Sequence, residues 1–416
     1  MIDSYMENWK EYKLHEIGEI VGGATPSTKD STNYDGEISW ITPKDLSNFI
    51  GRYIQRGERS ITQKGFDSSS CQILPKGSIL FSSRAPIGYI AIAANELCTN
   101  QGFKSVIPYN NVVDNIFLYY LLKYNKKKIE GLGSGTTFKE VSAKVMQNFE
   151  IRIPCIQTQK RIVNILSSLD DKIELNRRIN DNLVQQAQAL FKSWFVDFEP
   201  FKKGKFIDSE LGMIPESWRV CSAKTIFKIN IGKTPPRKEQ QWFSNINNGN
   251  VKWISISDLG SNEIFIVDSK EYLTKEAISK FNIIVVPEDT ILVSFKLTVG
   301  RVGISNCELT TNEAVARFYL PESYFREYTY LSLKNYNYAC LGSTSSIATA
   351  VNSKIIKNMK LLIPPVTIIS EFSKRINPLF NAIRIYENEI RNLSKIRNTL
   401  LPKLMSGELK INDINN

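Results

Sequence analysis

The sequence PKGSILFS at Pro75–Ser82 returns as PEDTILVS at Pro287–Ser294, 212 residues later. A second pair, SWITPKDL at Ser39–Leu46 and KWISISDL at Lys252–Leu259, stands in the same order at an offset of 213 residues. Several other short matches keep this order, and small changes of offset are typical of insertions and deletions in loops. The pairs indicate a tandem duplication, so the chain is predicted to contain two copies of one folding unit.

Each copy begins with short apolar runs between Gly, Pro, Asn and Ser residues, which predicts short strands and turns with a few helices. A long segment with little Gly or Pro follows Pro154 in the first copy and Pro364 in the second. Its apolar residues alternate in steps of three and four, which predicts a long helix with one narrow apolar seam. Such a seam needs a partner helix, and the nearest candidate is the duplicate helix in antiparallel orientation.

The expected architecture is an α+β fold. It is a tandem duplication of a mixed α/β domain, each copy followed by a long helix, and the two helices pair as an antiparallel coiled coil with pseudo-two-fold symmetry. The predicted boundaries are 1–154 for the first domain, 155–197 for the first helix, 198–217 for a linker, 218–364 for the second domain and 365–410 for the second helix with the C-terminal tail. The predicted helix-pair interface consists of the apolar seam residues Ile162, Leu166, Leu169, Ile173, Leu183, Leu190, Phe372, Ile376, Leu379, Ile383, Ile390, Leu393, Leu400 and Leu404.

Three polar residues interrupt the two apolar seams. Asn176 and Asn180 are polar seam residues of the first helix, which either fix the register of the pair or mark a wetter part of it. Arg397 occupies a seam position of the second helix. Pro378 is expected to kink the second helix or to delay its start.

The composition is that of a globular protein with a basic surplus. The 416 residues include 53 Lys and Arg against 42 Asp and Glu, a net charge of +11. This surplus is compatible with a polyanionic partner and equally with a solvated surface, because the cations are spread along the chain. The sequence has neither an apolar signal core nor a run of about eighteen apolar residues, so no membrane span is expected. Six scattered cysteines without a CxxC pair predict reduced thiols and a cytoplasmic location.

Motifs for catalysis are missing from the sequence. His15 is the only histidine, which argues against a Ser-His-Asp triad and a zinc site. There is no GxxxxGK[ST] phosphate loop and no adenine-methyltransferase motif. The segment Pro287–Lys296 superficially resembles a nuclease pattern, but its duplicate has Lys76 and Gly77 in place of the two acidic residues. The chain is therefore expected to have no catalytic residue, no metal site and no cofactor of its own.

Several loops carry groups that suit nucleic acid. Arg84 and Lys296 occupy matching positions, each two residues after a serine and four before a glycine. Arg can read a guanine edge with two hydrogen bonds and Lys can contact phosphate or guanine, although both are also compatible with plain surface cations. Trp40 and Trp253 are expected in the core and not stacked on bases, because their neighbours are apolar.

The loop segments GSGTTFK and GSTSS offer amides and hydroxyls for phosphate, or are simple turns. The candidate DNA-binding residues are the cations and hydroxyl residues of these loops: Lys29, Lys44, Ser83, Arg84, Lys104, Thr136, Thr137, Lys139, Arg237, Lys238, Ser257, Lys296, Thr298, Arg301, Thr344 and Ser345.

These residues carry a resemblance that covers nearly the whole chain, from about Trp9 to Leu404. The chain resembles the DNA-specificity subunit of type I restriction–modification systems. The matching stretches are LPKGSILFSSRAPIG, GSGTTFKEVSAKVMQNFEIRIP, QKRIVNILSSLDDKIELNRRI, and AQALFKSWFVDFEP followed by GMIPESWRV. The second copy departs from the pattern, since PPVTIISEF lacks the Gln-Lys-Arg of residues 159–161, which puts partner contacts there in doubt.

The resemblance implies two target-recognition domains, each reading one half of a bipartite site in double-stranded DNA, with the paired helices as the spacer. It also implies assembly with two methyltransferase (M) subunits, which use S-adenosylmethionine, and with restriction/motor (R) subunits, which use ATP and Mg²⁺. In this interpretation the chain is a non-catalytic DNA-specificity subunit that also scaffolds the M and R subunits. The alternatives are the detached recognition part of a fused restriction–methylation enzyme and a coiled-coil scaffold that binds only protein.

Overall fold

The computed structural model describes residues 9–84, 86–135, 139–260, 263–341 and 351–409. The chain divides into two compact units. Unit 1 consists of Met1–Glu174 with Arg391–Asn416, and unit 2 consists of Leu175–Ile390. Each unit contains one mixed α/β domain together with a part of each long helix. The predicted α+β fold and its tandem duplication are thereby confirmed.

Unit 1 is built from short strands and helices, as the turn-rich sequence predicts. Its strands are β1 (Lys10–Lys13), β2 (Gly18–Gly22), β3 (Tyr34–Ile41), β4 (Tyr53–Ile54), β5 (Ser60–Ile61), β6 (Ile79–Phe81), β7 (Ile90–Ala93), β8 (Cys98–Thr99), β9 (Lys104–Pro108) and β10 (Glu150–Ile153). Its helices are α1 (Leu14–Ile17), α2 (Pro43–Ser47), α3 (Gln63–Asp67), α4 (Asn115–Gly131), α5 (Ala143–Gln147) and the start of α6 (Ile156–Phe195). The main sheet has the order β2-β9-β6-β7-β4, a smaller sheet has the order β5-β3-β8, and β1 pairs with β10.

Unit 2 repeats this plan. Its strands are β11 (Phe206–Ile207), β12 (Ile214–Pro215), β13 (Arg219–Ser222), β14 (Lys228–Ile231), β15 (Phe243–Ser244), β16 (Val251–Ile254), β17 (Phe265–Ile266), β18 (Glu271–Leu273), β19 (Ile291–Ser294), β20 (Val302–Ser305), β21 (Thr310–Thr311), β22 (Val315–Tyr319) and β23 (Lys360–Ile363). Its helices are α7 (Ala223–Ile226), α8 (Lys275–Lys280), α9 (Arg326–Lys334), α10 (Ser353–Asn358) and most of α11 (Val366–Met405). The main sheet β14-β22-β19-β20-β17 matches that of unit 1 strand for strand.

The two tryptophans of the repeated phrase are core residues, as expected. Trp40 is 4% exposed and Trp253 is 1% exposed. The indole N–H of Trp40 donates to the carbonyl of Ala24 at 3.0 Å, and that of Trp253 donates to the carbonyl of Lys233 at 3.1 Å. Each tryptophan therefore fixes the loop that follows β2 or β14, which positions one edge of the candidate site.

The long helices α6 and α11 pack against each other in antiparallel orientation within each unit. In unit 1, Ile162 and Leu166 of α6 share one core cluster with Leu401 and Leu404 of α11. In unit 2, the rings of Phe195 and Phe372 lie 4.7 Å apart, and Asn176 donates to Glu389 at 2.8 Å. Asn176 is fully buried, which favours the register role over the wetter seam.

The seam residues divide into two groups by burial. Ile162, Leu166, Ile173, Phe372, Ile376, Ile383 and Leu404 are buried. Leu169, Leu183, Leu190, Leu379, Ile390, Leu393 and Leu400 are half-buried. Phe191 and Phe380, which the seam pattern omits, are buried because the helices also pack against the α/β domains. The helix pair is therefore part of each core and not a free-standing coiled coil.

The expected delay of the second helix at Pro378 is wrong, whereas the expected kink stays a prediction. Helix α11 begins at Val366, before the proline, and continues through it to Met405. Pro378 lies on the exposed face, where water can satisfy the carbonyl that lacks its usual hydrogen bond. Among the described residues, no helix is both long and apolar enough to cross a membrane.

Buried polar contacts hold each α/β domain on the helices. In unit 1 the nearly buried guanidinium of Arg52 binds Glu174 at 2.8 Å and also pairs with Asp171. Burial alone would lower the pKa of Arg52, but these carboxylates raise it above its ordinary value. In unit 2, Glu387 accepts the backbone N–H groups of Ile264 at 2.7 Å and Phe265 at 3.0 Å. Arg52 directly precedes the edge strand β4, and Ile264 and Phe265 lie at the start of the matching edge strand β17. Each domain is therefore held on the helices at the same place.

Candidate nucleic-acid interface

The turn after β6, and its duplicate after β19, are closed by the same serine. Ser82 donates its hydroxyl to the carbonyl of Pro86 at 2.7 Å and accepts the N–H of Tyr89 at 2.8 Å. In unit 2, Ser294 donates to the carbonyl of Thr298 at 2.6 Å and accepts the N–H of Arg301 at 3.0 Å. We call this arrangement the serine staple. It gives both turns the same rigid base.

Glycines complete the two stapled turns. Gly88 has φ +86° and Gly300 has φ +88°, the left-handed region that glycine adopts without strain. Their N–H groups donate to the carbonyls of Ser82 and Ser294 at 2.8 and 2.9 Å. The fixed spacing from serine to glycine noted in the sequence is therefore explained by the turn itself.

Hydrogen bonds connect the stapled turn of unit 1 to several neighbouring loops. Ser83 donates its N–H to the carbonyl of Gly102 at 2.7 Å and accepts the N–H of Val141 at 2.9 Å. Arg84 forms an isolated backbone bridge with Glu140. Two further loops adjoin these segments: residues 23–26, where Ala24 donates its N–H to Thr99, and residues 42–45, where Pro43 lies beside Gly102. We call all of them the unit-1 loop cluster (residues 23–26, 42–45, 82–84, 86–88, 100–104, 134–135 and 139–140).

The same loops meet in unit 2. Lys233 donates its N–H to Thr311 at 3.0 Å, Asn312 donates to Ile254 at 2.9 Å and Phe295 donates to Ala314 at 2.9 Å. The guanidinium of Arg301 donates to the carbonyl of Ile256 at 2.9 Å. We call these segments the unit-2 loop cluster (residues 232–235, 255–258, 294–301 and 312–314).

Several predicted cations lie at the surface, and some are held by carboxylates. Lys44 pairs with Glu58 at 2.6 Å, and this hydrogen bond raises the pKa of Lys44. Lys104 pairs with Glu140 at 3.5 Å. Arg237 forms two hydrogen bonds to Glu271, at 2.8 and 2.9 Å, which raise the pKa of Arg237 and lower that of Glu271. These pairs reduce the positive charge that the three cations present to a ligand.

Other candidates are placed as follows. Lys29, Lys139, Lys238, Ser257, Lys296 and Thr298 are exposed, and Arg84 is half-buried. Ser83 is fully buried and its hydroxyl donates to Gly102 at 3.2 Å, so the structure gives it a role in holding the loops. Arg301 holds the loop at Ile256 in the same way. The predictions for Thr136, Thr137, Thr344 and Ser345 fall outside the described residues.

Two matching hydrogen bonds of the loop clusters, which join four polar residues, were missed by the sequence reasoning. The hydroxyl of Thr25 donates to Gln101, and that of Thr234 donates to Glu313 at the matching place. Gln101 and Glu313 end the aligned segments ELCTNQ and ELTTNE, so the repeat alignment contained the signal. An amide in one copy and a carboxylate in the other give the two clusters different chemistry.

The part of the chain that the structure describes contains no group of three or more His, Cys, Asp or Glu residues that could hold a metal ion. The single histidine, His15, lies against the carbonyl of Gln147 at 2.8 Å. The chemistry that the clusters offer is hydrogen bonding, positive charge and, at the turn tip of unit 2, one exposed apolar side chain. This set suits binding of a polyanion with bases to read.

Both copies match the family described as the type I restriction modification DNA specificity domain, at residues 6–185 and 215–395. The chain is 36% identical to the type I restriction enzyme MjaIX specificity subunit of Methanocaldococcus jannaschii, over 98% of this chain and 95% of that relative. It is 25% identical to the HindI specificity subunit of Haemophilus influenzae, over 97% of this chain and 100% of the relative.

Among solved structures, the S subunit of a type I restriction–modification system from M. genitalium has the same fold. The TM-score is 0.57 at 16% identity, with 96% of each chain covered. The family match covers most of both copies, and the resemblance seen in the sequence is confirmed. The chain belongs to the family of type I restriction–modification DNA specificity subunits and carries two copies of the specificity domain.

Proposed function

We propose that this chain selects the DNA target of a type I restriction–modification complex by reading a bipartite site, one half-site with each loop cluster. The observation that carries the proposal is that both units have the same stapled turn but different side chains at its tip. The serine staple is the same in both units, whereas the tip carries Arg84 in unit 1 and Lys296 with Leu297 in unit 2. Unequal side chains on equal supports are what two different base sequences require.

The chemistry of modification and cleavage is assigned to partner subunits. Two methyltransferase subunits would supply S-adenosylmethionine chemistry, and restriction/motor subunits would use ATP and Mg²⁺. This chain would contribute no covalent step, no metal and no cofactor, and it would act in the cytoplasm, where the DNA is. The names of the two relatives, both specificity subunits of type I restriction enzymes, support the assignment of target selection to this chain.

The test is to express this chain with its methyltransferase subunits and to map methylated adenines in the DNA of the cells. We expect one motif with two specified halves separated by unspecified bases. The assembled complex should then bind a duplex with that motif, and the affinity should fall with salt, by about 0.9 logarithmic units per decade of salt for each phosphate contacted.

A scaffold that binds only protein gives a different result. In that case the complex would assemble, but this chain would not change which adenines are methylated. A motif with a single uninterrupted half would contradict the two-reader proposal, even if binding depended on salt.

A further inference from the structure

Leu297, at the tip of the stapled turn of unit 2, is the most exposed large apolar side chain of the described residues. It is 98% exposed, while the next, Ile246, is 68% exposed. A leucine that projects wholly into water contributes nothing to the core. The fold of unit 2 therefore does not need an apolar side chain at this place.

The backbone of Leu297 is also unfavourable for leucine. Its φ is +56°, in the left-handed region that glycine adopts freely and residues with a Cβ atom avoid. Strained residues of this kind persist where the surrounding structure fixes them, and they concentrate at ligand-binding sites. A glycine would serve the turn better, so both the conformation and the exposure point to a ligand that leucine meets.

The turn holds Leu297 rigidly outward. Ser294 closes the base of the turn through the carbonyl of Thr298, and Gly300 donates back to the carbonyl of Ser294 at 2.9 Å. The neighbours Lys296 and Thr298 are exposed on either side. An apolar tip between a cation and a hydroxyl matches duplex DNA, in which phosphates flank the base steps.

We propose that Leu297 is a wedge that inserts between two base pairs of the half-site read by unit 2, while Lys296 contacts the adjoining phosphate. The proposal rests on the DNA-reading function proposed above. Leucine is one of the apolar residues that proteins insert in this way, and insertion partly unstacks the step and kinks the duplex. Unit 2 then recognises its half-site partly by how easily one base step opens, in addition to contacts with base edges.

The experiment uses the complete complex of this chain with its methyltransferase subunits, and duplexes that carry the mapped site. In each duplex, 2-aminopurine replaces one adenine in or beside one of the two halves. We expect the wild-type complex to increase the fluorescence at one position in the half read by unit 2. Leu297→Gly should abolish this increase and weaken binding by about tenfold, which corresponds to about 1.4 kcal/mol.

Variants separate the wedge from a structural role. Leu297→Gly relieves the left-handed strain, so its unfolding temperature should equal or exceed that of the wild type. Leu297→Met, which keeps an apolar side chain of similar length, should retain the fluorescence increase. Leu211→Ala, which truncates an exposed leucine of the β11–β12 turn, should leave binding and fluorescence unchanged.

The outcomes distinguish this proposal from the function on which it rests. If the wild-type complex binds its site specifically without any increase in fluorescence, the wedge is wrong and the DNA-reading function stands. If Leu297→Gly instead prevents assembly with the methyltransferase subunits, the leucine is a protein contact and the wedge is again wrong. If the wild-type complex does not distinguish the mapped site from other DNA, the proposed function itself fails.

Discussion

Arg84 lies half-buried at the stapled turn of unit 1, with its backbone bridged to Glu140. Arg84→Ala is expected to weaken binding at one half-site by about 1–3 kcal/mol, the usual contribution of an arginine that reads a base with two hydrogen bonds. Base changes in that half should then matter less, while those in the other half keep their full effect. Equilibrium binding to duplexes with single base changes in each half measures this.

The matched control for Arg84 is Arg152→Ala. Arg152 is exposed on β10 of the same unit and pairs with Glu11 at 2.7 Å, an exposed pair that contributes little to stability. The Arg152→Ala variant should leave the base preference at both half-sites unchanged. If Arg84→Ala reduced the base preference at both half-sites equally, Arg84 would not be a residue that reads a single half-site.

The pair of Arg237 and Glu271 gives a prediction on acid stability. The hydrogen bond to Arg237 lowers the pKa of Glu271 below its ordinary value of 4.5. The pair therefore stabilises the fold above about pH 4.5, and this contribution is lost as the pH falls through the lower folded pKa. Because the pair is partly exposed, Glu271→Gln should lower the free energy of unfolding near pH 7 by less than about 1 kcal/mol.

Denaturant unfolding between pH 3 and pH 7 tests the Glu271 prediction. The difference between wild type and Glu271→Gln should shrink towards the acid end of the range. Glu308→Gln, at an exposed carboxylate of the same unit, is the control. A difference that grew on acidification would have the wrong sign for an ion pair.

Residue types near the site could be predicted from the sequence, but their partners could not. The spacing of serine, cation and glycine placed Arg84 and Lys296 on one repeated turn. The tie between Arg237 and Glu271 joins residues 34 positions apart, and only the register of β16 with β18 brings Glu271 to the face of Trp253, over which Arg237 lies at 4.5 Å. Leu297 was passed over because its exposure and its φ are properties of the folded turn.

The contact between the domain and the two long helices is made by different kinds of side chain in the two units. In unit 1, Tyr120 of α4 donates to Asp170 of α6 at 2.6 Å, and Asp170 also pairs with Arg397 of α11. This explains the charged residue in the seam of the second helix. Pro154 and Pro364, which precede the two long helices, are 210 residues apart. The same offset maps these three positions onto Tyr330, Phe380 and Ala187, which lie in one apolar cluster of unit 2.

The apolar arrangement of unit 2 predicts that an apolar side chain can replace the buried ion pair of unit 1. Arg397→Ala alone leaves Asp170 buried without its cation and should destabilise unit 1 by about 3–5 kcal/mol. Adding Asp170→Phe copies the arrangement of unit 2, where the rings of Tyr330 and Phe380 lie 5.6 Å apart. The double variant should recover most of the lost stability, because well-packed apolar residues often replace a buried ion pair without cost.

Thermal or denaturant unfolding of the wild type, both single variants and the double variant gives the coupling between the two sites. The mirror change, Ala187→Arg in unit 2, is the control and should be destabilising, because Phe380 offers no carboxylate. If the losses in the free energy of unfolding from Arg397→Ala and Asp170→Phe simply added in the double variant, apolar side chains would not replace the ion pair.

The long helices illustrate how far a pattern reaches. The heptad spacing predicted both helices, and half of the predicted seam residues are buried. It did not place Phe191 and Phe380, because a narrow seam describes a helix with one partner and these helices also pack on an α/β domain. Pro378 does not delay the start of α11 for a related reason: the helix packs on the domain on both sides of the proline, and the proline itself faces water.

At the scale of the whole molecule, the repeat alignment was the strongest signal, since it gave the duplication, the paired loops and the paired tryptophans before any contact was known. It could not say which differences between the copies matter. Tyr120 and Tyr330 are the same residue in different surroundings, whereas Arg84 and Lys296 are different residues on the same support. Only the hydrogen bonds of the structure separate these two cases.

If the support is common and the tip carries the specificity, a tip should work on the other unit. We expect the graft K296R/L297A/T298P, which gives unit 2 the tip of unit 1, to change the preferred bases of one half-site and leave the other half unchanged. Ser294 and Gly300 remain, and the carbonyl of residue 298 can still accept the staple, as that of Pro86 does in unit 1. The reciprocal graft R84K/A85L/P86T should change the other half only. Mapping of methylated adenines in cells that express each graft with the methyltransferase subunits measures both effects, and a graft that altered both halves together would show that the loop clusters do not read independently.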